Sequence, residues 1–179
     1  ITQPLEDMIV YLYYQVENKD TKESLHMDDP IIVKVNGQYN DGQINRPQVL
    51  PGIREWKGNQ GTFKFNGNLV IKDNSLKDVA SKIAFYIEEM TQTQVSIVSK
   101  EIESGDISIE LDKSLTVGNE GYTLDIDDSV TVKAPEEKGL LYAGATLSQM
   151  FMDNQNLLLP KGLMRDYPQY QVRSTMLDV

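Results

Sequence analysis

The chain has 179 residues, 40% of them hydrophobic and 25% charged, with no cysteine and a formal net charge of −10 at neutral pH; that suits one globular domain, or one domain with pieces of its neighbours. Without cysteine there are neither disulfides nor thiolate metal sites, and a net negative charge with no basic, aromatic-interleaved cluster repels phosphate backbones and argues against a nucleic-acid partner. No apolar run approaches the roughly 18 residues of a transmembrane segment, whereas neutral sugars are indifferent to the charge.

Met8 to Val16 is a run of β-branched and aromatic residues and Ile31 to Val35 is another, joined by the polar stretch Glu17 to Pro30. They read as two strands of a small sandwich that begins upstream. Opening at Ile1 without Met, the chain reads as an excised fragment, so a missing signal peptide says nothing about secretion. Asn36 to Asn45, rich in Gly and Asn and closed by Arg46-Pro47, reads as a linker. Residues 1–45 are then either the end of a separate upstream β-domain or an extension packed onto the domain that begins at residue 46.

Beyond Val49, Phe63 and Phe65 flank Lys64, and Leu69-Val70-Ile71 follows Gly67, the pattern of a hairpin-like pair of strands. Asn74 or Ser75 then caps a helix whose apolar positions Leu76, Val79, Ala80, Ile83, Ile87 and Met90, with Tyr86 beside them, make one amphipathic stripe. Asp78 supports its first turn. Strands return at Val95 to Val98, at Ile107, Ile109 and Leu111, at Tyr122, Leu124 and Ile126, and at Val130 and Val132, most of them alternating apolar with polar residues. A second helix from about Glu137 to Asp153 buries Leu140, Ala143, Leu147, Met150 and Phe151, and Gly144-Ala145 in its middle admits a close neighbour. Strands, helix, strands, helix predicts an α+β fold, a mostly antiparallel sheet with two helices on one face, preceded by a short β remnant.

Few residues suggest chemistry by themselves. Asp125, Asp127 and Asp128 lack the Gly and distal Glu of a calcium loop and read as a turn between strands. His26, the only histidine, completes no catalytic or metal-binding constellation and falls in an expected loop. Glu88-Glu89 and Glu136-Glu137 read as solvated pairs on a helix flank and at a helix start. Trp56 is either a core-edge aromatic or a platform for a sugar ring. No cofactor and no metal is implied.

The last forty or so residues carry more. Gly139-Leu140-Leu141-Tyr142-Ala143-Gly144-Ala145-Thr146-Leu147-Ser148-Gln149-Met150, then Leu159-Pro160, then Arg165-Asp166-Tyr167-Pro168-Gln169-Tyr170-Gln171-Val172-Arg173-Ser174-Thr175-Met176-Leu177-Asp178-Val179 resemble, in order and spacing, family 20 glycoside hydrolases, the β-N-acetylhexosaminidases. That family has a Gly-led helix ending in Thr-Leu-x-Gln, a Leu-Pro turn, an Asp-x-Pro-x-aromatic stretch, Arg-Gly and a Leu-Asp-Val strand; Ser174 stands where the family usually has Gly. The resemblance implies that residues 46–167 are the accessory α+β domain and that 168–179 begin a catalytic barrel. It further implies removal of terminal β-linked N-acetylglucosamine or N-acetylgalactosamine, with the substrate's own acetamido group as nucleophile, by a secreted or cell-surface protein. Arg173 matches the arginine that hydrogen-bonds the terminal sugar's hydroxyls; read from the residues alone, it pairs with a carboxylate such as Asp166 or Asp178. The catalytic Asp-Glu dipeptide is nowhere in the chain, so the expected role of this stretch is to support a barrel. The alternative is a non-catalytic carbohydrate-binding or interaction domain on the same scaffold.

Overall fold

The computed structural model describes residues 8–13, 15–17, 19–22, 24–26, 31–35, 45–152 and 157–168, and the chain divides into two compact units, residues 1–40 and 41–179. In the first, β1 (Met8–Leu12) pairs antiparallel with β4 (Ile31–Val35), and β2 (Gln15–Glu17) with β3 (Ser24–His26). The expected run from Met8 to Val16 is thus two strands, and His26 belongs to a strand that the polar composition of its surroundings hid. In the β1–β4 register, Ile9, Tyr11 and Ile32 share one face and Leu12 and Ile31 the other, and all five are exposed. The proposed linker falls mostly on residues 36–44, outside the described residues.

The second unit is one seven-stranded sheet in the order β5-β11-β9-β10-β8-β6-β7, built from β5 (Glu55–Lys64), β6 (Asn68–Ile71), β7 (Ser96–Val98), β8 (Ile107–Leu111), β9 (Tyr122–Ile126), β10 (Val130–Ala134) and β11 (Leu158–Asp166). Two helices, α1 (Lys77–Thr91) and α2 (Glu137–Met152), cover the face that carries Ile107, Ile109, Leu124, Ile126, Val130 and Val132. Alternation puts those side chains on one face, and their burial with Ile83, Ile87, Leu140 and Leu147 makes a single core. At about 25 cal/mol per Å² of apolar surface, such burial is the main stabilising contribution.

This is the α+β fold expected, but only half of the sheet is antiparallel. The pairs β5–β11, β11–β9 and β9–β10 run antiparallel, while β10–β8, β8–β6 and β6–β7 run parallel. The chain leaves β6 through α1 before it returns as β7, and a helical crossover of that kind brings strands back parallel. For the same reason the expected β5–β6 hairpin does not form: β5 pairs with β11, and β6 lies between β7 and β8.

The helix ends also shift slightly from expectation. Asp73, one residue before Asn74, accepts the Ser75 amide at 2.8 Å and starts a single 3-10 turn, Asn74–Leu76, ahead of α1. Glu88, expected in solvent, instead accepts the Val95 amide at 2.8 Å and ties the end of α1 to the approach to β7. In the middle of α2, a Cβ placed on Gly144 would lie 2.7 Å from Cγ1 of Ile83, so the helices touch there because the glycine has no side chain.

The parallel half is pinned by one carboxylate. Asp106, fully buried just before β8, accepts Nδ2 of Asn66 at 2.8 Å, Nδ2 of Asn68 at 3.0 Å and the Glu103 amide at 2.8 Å, and pairs with Nζ of Lys100 at 2.8 Å. Burial by itself pushes its carboxyl up, but Lys100, Asn66, Glu103 and Asn68 outweigh it and hold the group at about 2. The folded-state value lies below the unfolded one, so the stabilisation is complete above the ordinary aspartate range and disappears as pH falls through about 4 to 2. At about 1.4 kcal/mol per unit, it amounts to about 2 kcal/mol. Urea unfolding of Asp106→Asn and wild type should therefore show a gap at pH 7 that closes toward pH 2; a gap that does not change with pH would contradict this assignment.

Candidate functional site

Among the described residues β11 is the last strand of the second unit's sheet. β11 lies between β5 and β9, and its register against β5 shifts between Pro160 and Gly162. Beyond that bulge the side chains alternate, with Met164 and Asp166 toward the helices and Arg165 toward the opposite face. On the latter face Arg165 donates to Glu55 Oε1 at 2.9 Å and to the Thr116 carbonyl at 3.0 Å, and the next residue but one, Tyr167, donates its hydroxyl to the same Glu55 oxygen at 3.1 Å. The Arg165 guanidinium also lies 5.3 Å from the Tyr167 ring centroid, an attractive cation–π distance.

On the helix side Asp166 accepts the Tyr122 hydroxyl at 3.0 Å through one oxygen and the Arg54 amide at 3.1 Å through the other. Tyr122 in turn lies 2.6 Å from Oγ1 of Thr146 on α2. Burial, and then the Asp166 charge, push the Tyr122 phenol well above the ordinary tyrosine range, so it remains a neutral donor at any working pH. The Tyr167 phenol is pushed up in the same sense by burial and by Glu55.

The residues singled out in the sequence come apart in space. Arg173 and Ser174, and with them the strand expected at Met176 to Val179, lie outside the described residues. Asp166, one possible partner for Arg173, is engaged by Tyr122 and Arg54. Asp127 and Asp128 occupy the β9–β10 turn as expected, whereas Asp125 lies within β9, and Lys161 spans the first two at 2.9 and 2.6 Å, offsetting one of their two charges. Among the described residues no group of three or more acidic or histidine side chains is placed to hold a metal ion.

Trp56 is 2% exposed, and its ring packs over Gly162, where a Cβ would lie 2.6 Å from the indole. It is core and cannot stack on a sugar. What sequence reasoning missed is the whole set Glu55, Arg165, Tyr122 and Thr146: each is unremarkable in sequence, and they meet only because β11 joins β9 and β5.

The layer of helices has a second notable face. Opposite the sheet, α1 exposes Phe85, Tyr86 and Met90, and α2 exposes Tyr142 and Met152. Phe85 and Tyr86 line a shallow hollow with Asp78, Ser81 and Lys82. A solvated helix face is normally polar, so these large side chains form an unusually apolar surface. Among the described residues no helix is long and apolar enough to cross a membrane.

A family model described as glycosyl hydrolase family 20, domain 2, matches residues 46–167. The chain is 27% identical over 138 residues to a lacto-N-biosidase of Bifidobacterium bifidum, a stretch covering 75% of this chain and 12% of that protein. In fold it is similar to the Streptomyces plicatus N-acetyl-β-hexosaminidase, with a TM-score of 0.60 and 20% identity over 70% of this chain and 28% of the other. It is also similar to the Vibrio harveyi exo-β-N-acetylglucosaminidase solved in complex with N-acetylglucosamine, with a TM-score of 0.57 and 15% identity over 81% and 25% of the two chains. The chain thus spans about an eighth of the curated relative and about a quarter of each solved one.

The burial of Trp56 makes a prediction separable from sugar binding. Trp56→Ala should cost about 3–5 kcal/mol of stability, the usual consequence of emptying a large aromatic from a core, seen as a lowered urea midpoint. An unchanged midpoint would place the indole outside the core.

Proposed function

The chain belongs to glycosyl hydrolase family 20 and carries its domain 2, and we propose that it is the non-catalytic part, ahead of the barrel, of a β-N-acetylhexosaminidase. That enzyme removes terminal β-linked N-acetylglucosamine or N-acetylgalactosamine from glycans outside the cell or at its surface. The reaction is retaining and assisted by the substrate's acetamido group, a scheme that dispenses with a nucleophilic carboxylate of the protein. The observation that carries this reading is the family match over residues 46–167. Residues 168–179 then begin the barrel, and residues 1–45 are the end of an upstream β-domain.

Two features of the chain support it. The apolar outer face of α1 and α2, with Phe85, Tyr86, Met90, Tyr142 and Met152, is of the kind a neighbouring domain covers. The lack of an Asp-Glu dipeptide suits a stretch whose task is support, the acid and the acetamido-orienting carboxylate being supplied by the barrel. Arg173 is the one residue here that meets the sugar. Its guanidinium fork can grip two ring hydroxyls at once, which the point charge of a lysine cannot do.

The protein carrying its barrel should hydrolyse an aryl N-acetyl-β-glucosaminide, while residues 1–179 alone should not, general acid catalysis by itself being worth about 100-fold to 10,000-fold. An aryl lacto-N-bioside belongs beside it in the assay, given the Bifidobacterium relative's name. Hydrogen bonds from a charged donor are worth about 1.5–3 kcal/mol, so Arg173→Ala should lower kcat/KM by about tenfold to a hundredfold, with little rescue in Arg173→Lys. Unchanged kcat/KM together with a lowered melting temperature would remove Arg173 from the sugar site.

A further inference from the structure

Three consecutive residues at the end of β11 are gripped from both faces of the sheet: Arg165 and Tyr167 by Glu55, and Asp166 by Tyr122 and the Arg54 amide. The partners come from β5 and its approach, from β9 and, through Thr146, from α2. Glu55 is 9% exposed and Tyr122 3%, while Arg165, Asp166 and Tyr167 are half-buried, so part of the network has left water. Apolar residues of similar volume would hold a buried strand at least as firmly, since a buried ion pair is often no better for stability than a hydrophobic replacement. What polar groups add is direction, because hydrogen bonds weaken steeply away from their preferred angles.

Their position in the strand shows what that direction governs. The bulge at Pro160 to Gly162 interrupts the β11–β5 ladder, and beyond it Gly162 to Asp166 keep an unbroken register against β9, whose last residues the two groups of side-chain bonds reinforce. A slip of one residue would exchange the two faces of the strand, and with Glu55 on one face and Tyr122 on the other, such a slip would break both groups of bonds at once. Immediately after Tyr167 comes Pro168, whose fixed φ passes the orientation on. Arg173 follows Tyr167 by six residues in sequence, a span of at most about 20 Å.

We propose that Glu55, Arg165, Asp166 and Tyr122 form a two-sided clasp that aims the chain as it leaves the accessory domain, which makes Asp166 and Glu55 positioning residues for the sugar subsite served by Arg173. The inference rests on the sugar-binding reading of Arg173 given above. Neither carboxylate touches the sugar; each acts through the backbone between β11 and the barrel.

The test is a double-mutant cycle in the protein carrying its barrel, assayed with an aryl N-acetyl-β-glucosaminide. Asp166→Ala should lower kcat/KM by about tenfold to a hundredfold, the scale of a misplacement of about 1 Å, with the melting curve showing a folded protein. In an Arg173→Ala background it should lower kcat/KM hardly further, because the two changes disable the same contact. Tyr122→Phe keeps the ring in its pocket and removes only the hydroxyl, so it should show the same non-additivity with a smaller loss and serves should Asp166→Ala not fold. If Arg173→Ala impairs the enzyme while the Asp166 or Tyr122 change either leaves kcat/KM intact or adds its loss in full to that of Arg173→Ala, the clasp is merely structural and the proposal fails. If Arg173→Ala is itself silent, the sugar-binding reading fails and takes the clasp's function with it.

Discussion

The insertion of β11 between β5 and β9 is the constraint on which the second unit depends. Among the described residues β5 has no other ladder partner, so Trp56 and Phe63 stay in the core only while residues 158–166 hold their strand against the rest. The pairs involved are far apart in sequence: Leu159 lies opposite Phe63, and Arg165 opposite both Glu55 and Thr123. Such contacts cost loop-closure entropy that has to be lost before they stabilise anything. The domain is therefore completed by the same strand that hands the chain on.

That arrangement explains which parts of the fold the sequence disclosed. Both helices and the strands β8 to β10 announce themselves through periodicity, because their apolar residues face one core and their polar residues face away, and β6 and β7 do so as short apolar runs. β11 does not. Pro160 and Gly162 read locally as breakers, and the resemblance to family 20 made Leu159-Pro160 a turn; tertiary pairing instead absorbs the two residues as a bulge, with Gly162 lying so close to the Lys57 carbonyl and the Trp56 ring that no side chain would fit. The first eight residues of β5 escaped for a related reason, since Gly58-Asn59-Gln60-Gly61 within it has the composition of a loop. Without β11 and with β5 shortened, the sequence offered no reason to bring Glu55 to Arg165 or Tyr122 to Asp166. The polar network at the exit arises from topology, and no motif marks it, whereas Arg173 came from the family resemblance alone.

Charge is distributed in keeping with the same division of labour. On the sheet face away from the helices, Lys133 and Glu110 lie opposite each other on the parallel β10–β8 pair and join at 2.7 Å; such half-exposed cross-strand pairs contribute at most about 1 kcal/mol and chiefly keep that face wet. The helix layer has the reverse character, carrying large apolar side chains outward. The sheet thus keeps its outer face wet, while the helix layer exposes Phe85, Tyr86, Met90, Tyr142 and Met152.

The position of the buried polar groups then has a physical logic. Asp106 secures the parallel strands, where the chain must return through a crossover and no hairpin sets the register, and its bonds fix β6 against β8 at their starts. Glu55 and Asp166 do the corresponding work at the other end of the sheet, where a bulge has interrupted the ladder. In both places a carboxylate with several donors adds direction to the backbone ladder, which at β11 runs unbroken from Gly162 to Asp166 against β9. Along β10, at the centre of the sheet, the core face is apolar, with Val130, Val132 and Ala134 buried. Among the described residues the buried carboxylates Asp106 and Glu55 thus add direction where hydrophobic packing would only hold the strands together, and one of them does so beside the end of β11.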